Sequence, residues 1–252
     1  MKIIGIKILE SMINTGFLLT PEPIDWNQHL GIKGLRLVNQ KRFCFTYIEP
    51  KELDKHCEKF GLYSLQFDED AIRELGALPA FYVPSVKLTD NKIIYPSQFL
   101  LKNIIIATET LKHQRKKCVY GIMGILGLLC PTEYKERKQD PLENFKLREW
   151  RITGDTIRFL ESQNLVFPNL SNEEYQKLKQ INPIWGTSGQ TTPLKFHRFK
   201  GRHVLSYAKY LVTPDDPIIV KEARDNIDRL EKAERPKAIS KSKFKEIHEI
   251  SD

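Results

Sequence analysis

The stretch Phe43–Val83 sets the terms on which this chain can fold. Three short apolar runs, Phe43–Ile48, Leu62–Phe67 and Ala80–Val83, are rich in aromatic and β-branched residues, the composition of strands. Two carboxylate-rich segments with helical spacing separate them. Pro50 opens the first, where its missing N–H costs nothing, and Gly61 follows the last apolar residue of its face. Asp68 caps the second and Gly76 closes it. The order is strand–helix–strand–helix–strand with tight connections. Such a unit needs partners on both sides to close a core.

The flanks supply them. Ile3 to Asn14 reads as a helix, with Ile4, Ile8 and Met12 on one face and Leu9 and Ile13 beside it. Gly16 ends it. Thr20–Leu30 reads as a Pro-containing loop anchored by Trp26. Pro96 to His113 is a long helix whose apolar face runs through Leu100, Ile104 and Leu111, and a basic cluster of His113, Arg115, Lys116 and Lys117 suits its C-terminal end. Val119–Cys130 has glycines at every third position but no phosphate-loop pattern. Pro131 to Asn144 is a charged loop, and Phe145–Ile152 a strand. A short helix spans Asn172–Gln180 with Ser171 as cap, inside a loop-rich region. His203–Val212 is a final strand, and Pro214 to Leu230 a terminal helix. The fold class is α+β, with one central mixed sheet, flanked by helices, that gathers the five strands at Phe43, Leu62, Ala80, Phe145 and Val204. Residues 1–230 form this domain, and residues 231–252 are a polar tail expected to be disordered.

Composition excludes several classes. No run of eighteen apolar residues exists, so no membrane span is expected. The four cysteines, Cys44, Cys57, Cys118 and Cys130, have no CxxC spacing and read as buried reduced thiols of a cytoplasmic protein. No set of zinc ligands accompanies His197 and His203, so no metal and no cofactor are expected. The net charge of +8 suits an acidic partner or a nucleic acid.

Strand alternation places Leu147, Glu149 and Arg151 on one face, and Arg148, Trp150 and Ile152 on the other. A carboxylate so close to a core must be paired. Two roles are open to Glu149: bracing the sheet through Arg151, or working in a cleft on a substrate hydroxyl. Thr46 shares a strand face with Cys44, and Cys44 reads as a small core residue. His56 sits at the margin of the buried face made by Leu53, Cys57 and Phe60. Lys195, Arg198, Lys200 and Arg202 alternate with Phe196 and Phe199, as in a surface where cations meet phosphates and aromatics stack on bases. The other reading of that run is a solvated loop held by two phenylalanines.

The Cys44–Thr46 triplet, His56, Phe60-Gly61, Gly76, Pro79 and Phe81-Tyr82, followed by Arg148-Glu149-Trp150-Arg151, resemble the AbiGi family over roughly Ile8 to Val212. That family is the antitoxin-like half of a bacterial abortive-infection system. The resemblance implies a phage-defence component that binds a neighbouring toxin or defence protein. Members begin with a short strand ahead of the first helix, whereas this sequence starts at the helix. A second class is an enzyme. The layout is loosely similar to ADP-ribosyltransferase-like folds, with a cleft lined by Thr46, His56 and Glu149 and NAD as cofactor. The strand that grips NAD in such enzymes has no counterpart here.

Overall fold

The computed structural model describes residues 2–24, 38–83, 96–113, 125–131, 148–163, 193–230 and 235–249, with isolated positions between 122 and 180. Helix α1 (Lys2–Thr15) leads into strand β1 (Phe17–Ile24). The turn between them depends on Gly16. Its φ is +71°, and a Cβ there would lie 2.2 Å from the Phe196 carbonyl oxygen. Strand β2 (Val38–Thr46) returns antiparallel to β1, with Thr20 opposite Arg42. A 3-10 turn at Pro50–Glu52 starts helix α2 (Leu53–Phe60), and strand β3 (Ser64–Phe67) and helix α3 (Glu69–Glu74) follow. Strands β4 (Leu78–Pro79) and β5 (Phe81–Val83), helix α4 (Pro96–His113) and strand β6 (Leu129–Pro131) come next. Strand β7 (Glu149–Thr153) runs directly into helix α5 (Gly154–Ser162), whose N-cap, Thr153, accepts from the Thr156 N–H. The C-terminal part holds β8 (Leu194–Phe196), β9 (Arg198–Phe199), β10 (Arg202–His203), β11 (Ala208–Thr213), α6 (Pro217–Ile227), β12 (Lys237–Ser240) and α7 (Lys241–Glu249). The fold is α+β.

Five strands form one antiparallel sheet in the order β4-β7-β2-β1-β8. Its apolar face carries Phe17, Phe43, Phe45 and Ile152. Phe17, fully buried, stacks on Phe43 at 4.3 Å and meets Phe45, Phe67 and Phe196 edge-on. A second sheet, β12-β11-β3, pairs β11 antiparallel with β3 and parallel with β12. One core joins the two sheets, with Leu9 and Ile13 of α1, Leu75 beside α3, Ile157 of α5, and Ala223 and Ile227 of α6. A smaller cluster of Leu53, Cys57, Val212 and Phe244 seats α2 and α7 on the other face of the second sheet.

Several sequence expectations meet corrections here. The five expected strands do not share a sheet: β2 and β7 lie in the first, β3 and β11 in the second, and β5 pairs parallel with β6 in a small third. The strand expected over Phe145–Ile152 begins only at Glu149 among the described residues, because Arg148 takes a left-handed φ of 45° that breaks an extended run. His203–Val212 is not one strand. Val204–Tyr207 is a 3-10 turn, since the His203 ring accepts the Leu205 N–H and bends the chain. Phe17–Ile24 is strand despite Pro21 and Pro23, with Phe17–Leu19 paired to β8 and Thr20–Ile24 paired to β2. The prolines sit where β1 has one partner among the described residues, and the expected Thr20–Leu30 loop begins as strand. Among the described side chains of α4, Ile105 and Thr108 are buried, while Ile104 and Ile106 are exposed. The tail expected to be disordered supplies β12 and α7. It is tied down by parallel pairing to β11, by Lys241 and Lys245 on Asp54, and by Asp215, which accepts from the Ser242 N–H at 2.8 Å. Trp26, Arg115 to Lys117, the loop at 132–144 and most of 164–192 lie outside the described residues.

Candidate functional site

The second face of the five-stranded sheet is polar. Register places Thr46 opposite Glu149, Cys44 opposite Arg151 and Arg42 opposite Thr153. Because β2 and β7 both alternate, the phenylalanines point to the core and these six side chains share the other face. Arg151 is nonetheless 2% exposed and Glu149 12%. The segment Gly127 to Leu129 lies against the guanidinium, and Arg151 Nη1 donates to the Gly127 and Leu129 carbonyls at 3.2 and 2.8 Å.

Glu149 is held from every side. Arg151 grips its carboxylate bidentately, Nε to Oε1 at 2.8 Å and Nη2 to Oε2 at 3.1 Å. The Glu149 N–H donates to the Tyr82 hydroxyl at 2.7 Å, and its carbonyl accepts from the Ala80 N–H at 2.8 Å. Burial pushes the Glu149 carboxyl up. The Arg151 hydrogen bonds and charge, the Cys44 thiol and the Arg42 charge outweigh that and hold it below the usual carboxylate range. It is therefore an anion at neutral pH, and a weak base. Cys44 is exposed, which corrects its reading as a core residue: the phenylalanines on either side take the core face, and its thiol serves the carboxylate.

The structure thus brings Thr46, Glu149 and Arg151 together. His56 rides on α2, its ring 4.5 Å from that of Phe60, while Leu53 and Cys57 of the same helix pack on the second sheet. An ion pair joins the start of α2 to β7. Arg148 donates to Glu52 at 2.9 Å and lies 4.7 Å over the Tyr47 ring. Cys44, Pro79, Tyr82 and Glu149 are sequence landmarks separated by up to 105 positions, and all meet around β7. Sequence reasoning did not find Tyr82 and Cys44 as partners of Glu149. The carbonyls that hold Arg151 carry no side-chain signal at all.

The basic run takes a different form. Lys200 and Gly201, with φ of 48° and 78°, turn β9 into β10 as a two-residue hairpin. Phe196 and Phe199 are buried at 0% and 2%, so neither can stack on a base; this corrects the aromatic half of that reading. Arg198, Lys200 and Arg202 are exposed, but Lys200 bonds Glu74 at 3.0 Å, Arg198 bonds the Gly201 carbonyl at 2.8 Å and Arg202 lies over Tyr207. His203 is buried, donating from Nε2 to the Ile13 carbonyl at 2.9 Å and accepting the Leu205 N–H at Nδ1. Both ring nitrogens are thereby committed. Among the described residues no three His, Cys, Asp or Glu side chains converge as metal ligands, and no helix is long and apolar enough to cross a membrane.

No family model, curated protein or solved structure matches the chain.

Proposed function

We propose that this chain acts by binding a partner protein rather than by catalysis, as an antitoxin-like component of an abortive-infection system. The observation that carries the non-catalytic half is the bidentate grip of Arg151 on Glu149. A carboxylate that worked on a substrate would need a lone pair aimed at open space and a pKa near the working pH. Both Glu149 oxygens accept from Arg151, and its pKa is pushed the other way. Thr46 and Glu149 pair across β2 and β7, whereas the His56 ring meets that of Phe60 on its own helix, an arrangement that favours the partner-binding reading over an NAD cleft. The choice of partner rests on the resemblance of the Cys44–Thr46 and Arg148–Arg151 segments to AbiGi proteins, and on the net charge of +8, which favours an acidic surface.

The test is co-expression of the tagged chain with the product of the adjacent gene, followed by purification and phage challenge. Stoichiometric co-purification, together with loss of protection when either gene is deleted, is the expected result. A chain that protects alone and consumes NAD in the purified state would overturn the proposal.

A further inference from the structure

The second sheet ends on an edge that is framed for occupation. Strand β12 is the outer strand of β12-β11-β3, so one row of its backbone N–H and C=O groups faces away from β11. Helix α6 covers one face of the sheet there, with Ile219, Ala223 and Ile227 buried, and α7 covers the other with Phe244. Two cavities of about 580 and 290 Å³ lie along this edge. They share Arg224, Ala238 and Ile239, and so form one groove between α6 and β12.

The charges of the groove are sorted. Its carboxylates are spent internally: Asp216 caps α6, Asp215 accepts from Ser242, and Asp228 pairs with Arg235 at 2.6 Å. Lys243 faces Glu246. Lys221, Arg224 and Lys237 are exposed along the groove and form no ion pair among the described residues. The strand edge therefore offers main-chain hydrogen bonds, with an apolar floor at Val220 and Ala238 and a cationic rim. A second copy of this chain is a poor occupant, because two β12 edges meeting across a two-fold axis would bring like charges together.

We infer that an extended acidic segment of a partner protein adds to the β12 edge as a fourth strand, with its carboxylates on Lys221, Arg224 and Lys237. Backbone pairing supplies the affinity and the cations choose the partner. This rests on the reading of the chain as a partner-binding protein.

The probe is a short fluorescent peptide of alternating glutamate and valine, with a lysine–valine peptide as control. The acidic peptide should bind the whole chain at least about tenfold more tightly than the basic one. Amide exchange at Ala238 to Ser240 should slow on binding. The triple variant K221E/R224E/K237E should lose about tenfold in affinity or more while melting as the wild type does, since exposed charges contribute little to stability. Equal binding of both peptides, or acidic-peptide binding without slower exchange in β12, would overturn the strand-addition proposal. An RNA oligonucleotide that displaces the peptide and shows the greater affinity would give the groove to nucleic acid instead. Co-purification of the adjacent gene product separates the two levels. Capture by wild type and triple variant alike sinks the groove and leaves partner binding standing, whereas capture by neither sinks the parent reading.

Discussion

The Glu149–Arg151 pair shows how a single buried charge decides between bracing and chemistry. Arg151 spends its guanidinium on one carboxylate and two carbonyls. Removing the negative partner leaves a cation that is 2% exposed with no countercharge, a change that costs about 3–5 kcal/mol. Glu149→Gln should therefore lower stability by that order in urea melts, with any loss of partner binding tracking the unfolding. A variant that melts normally but loses defence activity would favour the catalytic reading. The pH dependence follows from the same contacts. The folded carboxyl lies below its ordinary range, so its stabilisation is complete above that range and drains as pH falls through the lowered value. The wild type should lose stability on acidification more steeply than Glu149→Gln, measured as urea midpoints from neutral pH downward. Gly16 carries a steric limit of a different kind. Gly16→Ala sets a methyl 2.2 Å from the Phe196 oxygen at a left-handed φ, so β1 and β8 must part, and a fall in the melting midpoint should report it.

Elements were legible in the sequence where a local signal set them. Pro50, Asp68 and Gly76 punctuate α2 and α3, and the helix expected after Pro214 forms as α6 with Asp216 accepting the Ile218 N–H at 3.0 Å. What escaped was settled by distant partners. Pro21 and Pro23 read as loop, yet both pair with β2, because Phe17 and Leu19 beside them are pulled fully into the core and the strand's other side there carries no partner among the described residues. Residues 237–249 look polar in isolation, and their order comes from pairing with β11 and from Asp54, none of which is local. Asp54 is therefore the place to test the tail. Hydrogen bonds from Lys241 and Lys245 hold its carboxyl at about 2, so the clamp is complete above the ordinary aspartate value and lost only as pH falls through about 2. Asp54→Asn should speed amide exchange across α7 several-fold while leaving β2 and β7 unchanged. Equal exchange rates in α7 would mean that Phe244 and β12 hold the helix without the ion pairs.

At the scale of the whole molecule, charge is distributed unevenly over the surface. The five-stranded sheet buries its ion pair and its aromatics, and the exposed basic hairpin of β9 and β10 is drawn into the protein's own contacts. Nucleic-acid binding there would need cations free to displace counterions and rings free to stack. Phe196 and Phe199 sit in the core, Lys200 answers Glu74, and Arg202 covers Tyr207. The sequence pattern of basic and aromatic residues was real, but Phe196 ends β8 and Phe199 lies in β9, and the break at His197 lets both rings turn into the core, which a one-dimensional reading does not show. The expected outcome is that the protein shows no binding to RNA or DNA whose affinity falls steeply with salt through this hairpin. Changing Arg198, Lys200 and Arg202 to Ala should leave any weak association and its salt slope unchanged, with melting nearly unaltered because these charges are exposed. If the hairpin were a phosphate-binding surface, the same triple change would flatten the slope of log affinity against log salt by about one unit per lost contact. Measured by fluorescence anisotropy across a salt series, a drop of that size would return the hairpin to the list of nucleic-acid surfaces. A flat response leaves the positive charge of the chain to solubility or to a protein partner.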